Sequence, residues 1–336
     1  MKTYEYGALA APIPQAVACR DLVSVQDFSP DETTSLFELA HVIKGRPADF
    51  RGALAGKQLV LFFEKASLRT RLTFEAGMAS LGGTTLFVDQ TRARLNEREP
   101  VCDIARNVER WVDGVVLRTY EHQTILDMAR HASIPVINAL SDLEHPCQAY
   151  ADFFTLEERF GDLSKVHVAY VGDGNNVAHS LLLAAASLGS SIAVATPHGY
   201  APKLEIVKAA KAIAKQTGAI IEVTENAISA VTGANAIYTD VWASMGQEDE
   251  ASKRAKIFLP YQVNRKLFAL AASDAVFMHC LPAHRGEEVA ADVIDSPRSV
   301  VYDQAENRMH VQKAILLSLL GAGIRPAARV GRNHHA

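Results

Sequence analysis

The chain has 336 residues, 49% of them apolar and 21% charged, with a formal net charge of −4. That is enough for two domains of ordinary size, each with its own core. The negative balance argues against nucleic acid as a main partner, since phosphate backbones select broad basic surfaces, so any anion site must be local.

No apolar run approaches the roughly 20 residues that span a bilayer, which predicts no membrane partner. The N-terminus lacks the apolar stretch of a secretory signal and is poor in arginine for a transit peptide, so a cytoplasmic location is expected. Cys19, Cys102, Cys147 and Cys280 are far apart and show no CxxC spacing, so neither a disulfide framework nor a zinc finger is predicted.

Apolar runs of strand length fall at 59–63, 85–88, 114–117, 134–137, 166–171, 192–195, 236–238, 276–278 and 300–302. Between most of them lie helix-period stretches, such as Ile104, Val108, Trp111 and Val112, or 181–188 closed by Gly189. This alternation predicts an α/β protein of parallel sheets with crossover helices. A boundary is expected after Gln148, where "AYADFFTLEERFGDLSK" reads as a helix ending at Gly161 before a new strand. Two domains are drawn, 1–150 and 151–305, with a last helix at about 306–325 packing back on the first. The tail "RPAARVGRNHHA" reads as disordered.

The loop after the first strand carries a chemical signal. In "FFEKASLRTR", Arg69 and Arg71 stand where a helix (72–81, ended by Gly82 and Gly83) begins. A helix N-terminus already carries partial positive charge, so cations there cost stability unless an anion is bound. Ser67 can cap the helix, and the N–H groups of residues 68–70 with the side chains of Arg69 and Thr70 would suit a phosphate. Alternatively, the two arginines reach back to Glu64 or Glu75.

From this loop onward the sequence resembles the carbamoyltransferases. "FFEKASLRTR" resembles their "FEKxSTRTR" signature. "VVLRTYEH", "HPCQ", "GDGNNVAHS", "YTDVWASMGQE", "MHCLPAHRGEEV" and "AENR" follow in the family's order, over about residues 55–310. The SMG and HCLPAHRGEE runs are those of the ornithine-using branch. The resemblance implies two domains, each a parallel sheet with helices on both faces. It also implies transfer of a carbamoyl group from carbamoyl phosphate to the side-chain amine of L-ornithine, giving L-citrulline and phosphate. Neither metal nor organic cofactor is implied, and the assembly would be a homotrimer or an assembly of trimers.

Residue by residue, the resemblance implies that Ser67, Leu68 (through its N–H), Arg69, Thr70 and Arg118 grip the phosphate. Thr70, Arg118, His145 and Arg308 would face the carbonyl oxygen, where fixed donors stabilise developing charge. Gln148 and the carbonyls of Cys280 and Leu281 would hold the carbamoyl NH2. Asp240 and Ser244 would meet the ornithine ammonium, Asn176 and the Met245 N–H its carboxylate, and Cys280 with Asp240 would place the side-chain amine.

Other readings remain open on the sequence. His145 before Pro146 is equally suited to cap a helix. A nucleophilic Cys280 with His279 or His284 as base, and a zinc site from His145, Cys147, His279 and Cys280, are both disfavoured: direct amine attack needs no enzyme nucleophile, and no ligand pair has a metal spacing. "GDGNNV" carries only two glycines of a dinucleotide fingerprint. An inactive homologue that binds carbamoyl phosphate would be expected to lose Arg69, Arg118, His145 or Arg308, and all four are present. Leu68 stands where the ornithine and aspartate enzymes carry threonine, and the 91–100 loop matches the family loosely. Putrescine, an N-acylornithine or aspartate therefore stays open as the acceptor.

Overall fold

The computed structural model describes residues 20–243 and 248–321; the expectations placed on residues 1–19, on Ser244 and Met245, and on the tail after residue 321 lie outside the described residues.

Strands β1 (Gln58–Phe63), β2 (Thr84–Asp89), β3 (Gly114–Arg118) and β4 (Val136–Leu140) form one sheet in the order β2-β1-β3-β4. Strands β5 (His167–Val171), β6 (Ser191–Ala195), β7 (Ile221–Thr224), β8 (Ala236–Thr239) and β9 (Val276–His279) form a second, in the order β7-β6-β5-β8-β9. Every neighbouring pair is parallel, so the connections must cross over the sheets.

Alternation along the strands explains why both faces are covered. In β1, Leu59, Leu61 and Phe63 join the core shared with α1 (Pro30–Gly45), α2 (Leu68–Ser80) and residues such as Phe153 and Phe154 of a later helix. Val60 and Phe62 turn to the other face, against α3 (Val101–Val108) and α4 (His122–His131). The second sheet repeats the arrangement: Val168, Tyr170, Ile192 and Val194 pack with the first core, while Ala169, Val171, Ala193 and Phe277 face the short helices Ala227–Val231, Arg265–Phe268 and Ala291–Ile294. Continuous apolar strands of this kind are what a doubly covered parallel sheet requires.

One core runs through both sheets because α5 (Pro146–Phe160) packs between them. Its Phe153 and Phe154 are fully buried, each contributing about 1.5–3 kcal/mol of apolar transfer. The residue 150 division drawn above falls inside this unbroken helix. Helices α6 (Asn176–Leu188) and α7 (Leu204–Thr217) follow β5 and β6. Gly189 closes α6 with φ 75, the left-handed conformation that glycine adopts freely. The last helix, Val301–Leu320, lies on α1, α2 and α5. Its Asn307 bonds Thr155 at 3.0 Å and Glu158 at 2.7 Å and accepts from Lys44 at 2.8 Å.

Three expectations are corrected. The apolar triplet 300–302 is not a strand: Ser299 makes one bridge to Phe277, and the last helix begins at Val301 rather than near residue 306. Val301 is buried while Tyr302 is 73% exposed, the one-sided burial of a helix whose period continues through Gln304 and Arg308. The edge strand β7 was missed because Glu222 and a half-exposed pattern mask its short apolar signal. Helix α2 starts at Leu68, directly after the Ser67 cap, and not at residue 72. Among the described residues no helix is long and apolar enough to cross a membrane.

Candidate active site

The described candidate residues cluster at the carboxyl ends of the strands. Ser67 to Thr70 follow β1, Arg118 ends β3, and His145 and Gln148 follow β4. Asn176 follows β5, Asp240 follows β8, and Cys280 and Leu281 follow β9, while Arg308 comes in from the last helix. Crevices at the carboxyl edge of parallel sheets are where α/β proteins bind ligands, since loops converge there and helix N-termini point in.

On the first sheet's side, Ser67 caps α2, its hydroxyl accepting the Thr70 N–H at 3.3 Å. Arg308 Nη2 donates to Thr70 Oγ1 at 2.7 Å, joining residues 238 positions apart. The pairing of β3 with β4 shifts register between Leu117 and Arg118, an irregularity of the kind that re-aims a side chain at a strand end. Arg118 is 8% and Arg308 3% exposed.

Among the described residues, neither Arg118 nor Arg308 has a carboxylate within ion-pair distance, and nor does Arg69. Arg71 behaves differently: it pairs with Glu75 at 2.9 Å and lies over the Phe87 ring. Glu64, the other proposed partner, accepts the N–H groups of Leu95 and Tyr120 at 3.0 and 2.9 Å. The ion-pair alternative therefore holds for Arg71 and fails for Arg69.

Burial and the neighbouring Arg308 lower the Arg118 pKa to about 10, opposed by Cys280. Burial likewise lowers Arg308, with Arg69 adding like-charge repulsion. His145 is pushed well below the ordinary histidine range by burial, then by Arg308 and Arg118, so at neutral pH it is a neutral imidazole with one N–H to donate. Its backbone N–H bonds Ser180 Oγ at 2.8 Å, and its side chain makes no cap on α5. Arg118 Nε, Arg308 Nε, His145 Nδ1 and Gln148 Oε1 are buried with no hydrogen-bond partner among the described residues. Holding cations this way costs several kcal/mol each unless an anion binds.

On the second sheet's side the two buried acids, Asp240 and Asp173, are matched from within the chain. Asp240, 6% exposed, accepts from Asn175 Nδ2 at 2.8 Å, the Val241 N–H at 2.9 Å and Cys280 Sγ at 3.1 Å. Asn176 donates to the Ser141 carbonyl at 2.6 Å, bridging to the loop after β4. Asp173 pairs with the buried Arg254. Leu281 has φ 59, a left-handed conformation that costs a leucine roughly 1–2 kcal/mol; its N–H reaches His279 Nδ1 at 2.8 Å.

The Cys280 thiol is pushed well above its ordinary range, by burial first and then by Asp240. It is a protonated donor to Asp240, unsuited to nucleophilic attack. Among the described residues, His145 and Cys147 do not join a metal-ligand cluster with His279 and Cys280; Asp240, His279 and Cys280 do approach one another, but the His279 Nδ1 lone pair accepts the Leu281 N–H and the thiol donates to Asp240. The nucleotide reading of "GDGNNV" fails sterically: a Cβ on Gly174 would lie 2.3 Å from Pro202 N, so this turn is packed by the chain itself. Leu68 is 71% exposed, and its N–H in the first turn of α2 is free of an intrahelical partner.

Several residues escaped the sequence reading. Asn175, not Asn176, caps α6 and orients Asp240, and its place just before the helical period was a usable cap signal. Asp152, one turn after Gln148, was legible as an i,i+4 partner. Gln304, Asp173 and Arg254 left no local signal.

Such a fold and site define a two-sheet α/β protein in which buried guanidinium groups and polar groups from both sheets come together at the carboxyl ends of the strands. Residues 20–158 match the family description "Aspartate/ornithine carbamoyltransferase, carbamoyl-P binding domain", and residues 164–319 match its "Asp/Orn binding domain". The chain belongs to the aspartate/ornithine carbamoyltransferase family. It is 50% identical over 307 residues to the ornithine carbamoyltransferase of Pyrococcus abyssi, covering 90% of this chain and 96% of that one. It is 50% identical over 303 residues to that of Symbiobacterium thermophilum, covering 90% and 98%. The solved ornithine carbamoyltransferase of Pyrococcus furiosus superposes with a TM-score of 0.89 at 49% identity, over 92% of this chain and 99% of that chain.

Proposed function

We propose that this chain is an ornithine carbamoyltransferase, which transfers the carbamoyl group of carbamoyl phosphate to the side-chain amine of L-ornithine. The observation that carries the reading is the pair of buried guanidinium groups, Arg118 and Arg308, with Arg69 a charged neighbour, near the carboxyl ends of the strands and, among the described residues, without a carboxylate within ion-pair distance. A phosphate dianion supplies the missing charge, and arginine forks match its oxygens.

Ser67, Arg69, Thr70, Arg118 and the Leu68 N–H hold the phosphate. Thr70, Arg118, His145 and Arg308 donate to the carbonyl oxygen as it gains charge. Gln148 Oε1 and the carbonyls of Cys280 and Leu281 accept from the carbamoyl NH2. Asp240 and Asn176, with Ser244 and Met245, bind ornithine. The neutral amine attacks the carbonyl carbon, a C–N bond forms, the C–O bond to phosphate breaks, and the amine's proton passes to the departing phosphate.

Residues 1–150 with the last helix form the carbamoyl phosphate lobe and 151–305 the acceptor lobe, the division falling within α5. The enzyme works in the cytoplasm as a homotrimer or an assembly of trimers. Its direction is biosynthetic, as in the Pyrococcus furiosus and Campylobacter jejuni relatives named anabolic.

A ureido-product assay tests this, with carbamoyl phosphate and a panel of ornithine, putrescine, aspartate and N-acetylornithine. Ornithine is expected to be turned over fastest. A higher kcat/KM with another amine would overturn the substrate while leaving the class standing.

A further inference from the structure

The buried Gln148 carboxamide, in the first turn of α5 beside His145, can present either its oxygen or its NH2 to a carbamoyl group bound there. The difference matters chemically: a carbamoyl group offers N–H donors and needs an acceptor, whereas an acetyl group of nearly the same shape offers none. The choice is made behind the residue. One turn further along α5, Asp152 Oδ1 accepts Gln148 Nε2 at 2.7 Å and Gln304 Nε2 at 2.6 Å. Gln304 is keyed in turn, its Oε1 accepting the His279 N–H at 3.0 Å and its Nε2 reaching the Tyr238 hydroxyl at 3.2 Å. Oδ1 already accepts the Gln304 amide N–H, so whether or not the acid carries a proton on its other oxygen it meets Gln148 as an acceptor, which only the Nε2 of Gln148 can face. Gln148 Oε1 is thereby left buried without a partner among the described residues.

Asp152 is 0% exposed and, among the described residues, has no cation within ion-pair distance. Burial raises its carboxyl to about 7, opposed by the hydrogen bonds from Gln148, Gln304 and Tyr238. A buried acid held at this disadvantage needs a reason to be there.

Building on the carbamoyl phosphate reading above, we propose that Asp152 is a positioning residue: it locks the Gln148 carboxamide with its oxygen toward the carbamoyl NH2 and so makes the site prefer carbamoyl phosphate to acetyl phosphate. Gln304 holds Asp152 in that pose and ties it to the end of β9, which carries Cys280.

The test measures affinity for carbamoyl phosphate and for acetyl phosphate on the full chain, in wild type and in Asp152→Asn. Wild type is expected to prefer carbamoyl phosphate by about tenfold or more, the worth of one or two well-placed hydrogen bonds. The carboxamide introduced by Asp152→Asn can donate or accept, which frees Gln148 to turn over. The preference should then fall to about threefold or less, with the carbamoyl phosphate KM raised and the ornithine KM unchanged, a split that general loosening would not produce. Where Asp152→Asn does not fold, Asp152→Ser is read the same way. Equal affinities in wild type, or an unchanged preference in a folded variant, overturn the proposal. Wild type that turns over no amine with carbamoyl phosphate would instead sink the reading of the reaction itself.

Discussion

Arg118 and Arg308, on the first sheet's side, are buried without a carboxylate within ion-pair distance among the described residues, whereas on the second sheet's side Asp240 is matched by Asn175 and Cys280, and Asp173 by Arg254. Both regions bury polar groups at the carboxyl ends of parallel strands, so burial alone does not separate them. What differs is the source of compensation. The first region is completed by charge brought from outside, and its free state carries a desolvation cost. The second is completed from within, and a ligand there must exchange existing hydrogen bonds for its own.

If this contrast is right, removing a cation from the first region should harm function and spare stability. Arg118→Met is expected to lower kcat/KM for carbamoyl phosphate by about 10³, while the ligand-free protein unfolds at the same temperature or higher. Steady-state kinetics and thermal unfolding check the two halves. A lowered Tm with little loss of activity would reverse the assignment of the two regions.

Removing an anion from the second region should do the opposite. Asp173→Ala leaves Arg254 buried, donating to the Trp242 carbonyl and, among the described residues, with Glu250 as its one remaining carboxylate, at 3.7 Å and largely in solvent. A destabilisation of about 3 kcal/mol is expected, because an uncompensated buried charge remains. Denaturant unfolding measures it, and a loss under about 1 kcal/mol would mean that Arg254 finds another partner.

A third expectation concerns pH. His145 is held neutral by burial and by Arg308 and Arg118, and Cys280 is held as a thiol by burial and by Asp240, so neither titrates between pH 6 and 9. The rate should instead follow the neutral fraction of an ornithine amine whose pKa lies near that of lysine, about 10.4. With chemistry limiting, kcat/KM for ornithine should rise about tenfold per pH unit over this range. A limb near 6.5 would show that His145 titrates after all and that its surroundings are less cationic than the structure has them.

Much of the fold was legible because strand and helix signals are local. The apolar runs of β1, β3, β5 and β6, the Ser67 cap and the Gly189 stop each need only a few neighbouring residues. The misses follow from the same rule. At 300–302, three apolar residues fit a strand or a first helical turn equally well, and only packing against Phe277 and α5 decided. Strand β7 lies at an edge, where one buried face leaves too weak an alternation.

The candidate site divides along the same line. Motif order placed Arg69, Arg118, His145, Gln148, Asp240, Cys280 and Arg308 in one family and, through strand ends, on one edge of the fold. Two nearby arginines, Arg69 and Arg71, were indistinguishable there, yet Arg71 is paired with Glu75 while Arg69 has no carboxylate within ion-pair distance among the described residues. The facing of the Gln148 amide, set by Asp152 and Gln304, was equally out of reach.

By itself, then, the sequence determined the elements and the chemical groups, since periodicity, capping and motif spacing act over a few residues. Only the tertiary structure decided which charges lack partners and which way an amide points. Those depend on distances between groups as far apart in the chain as Thr70 and Arg308, which lie 2.7 Å apart once folded.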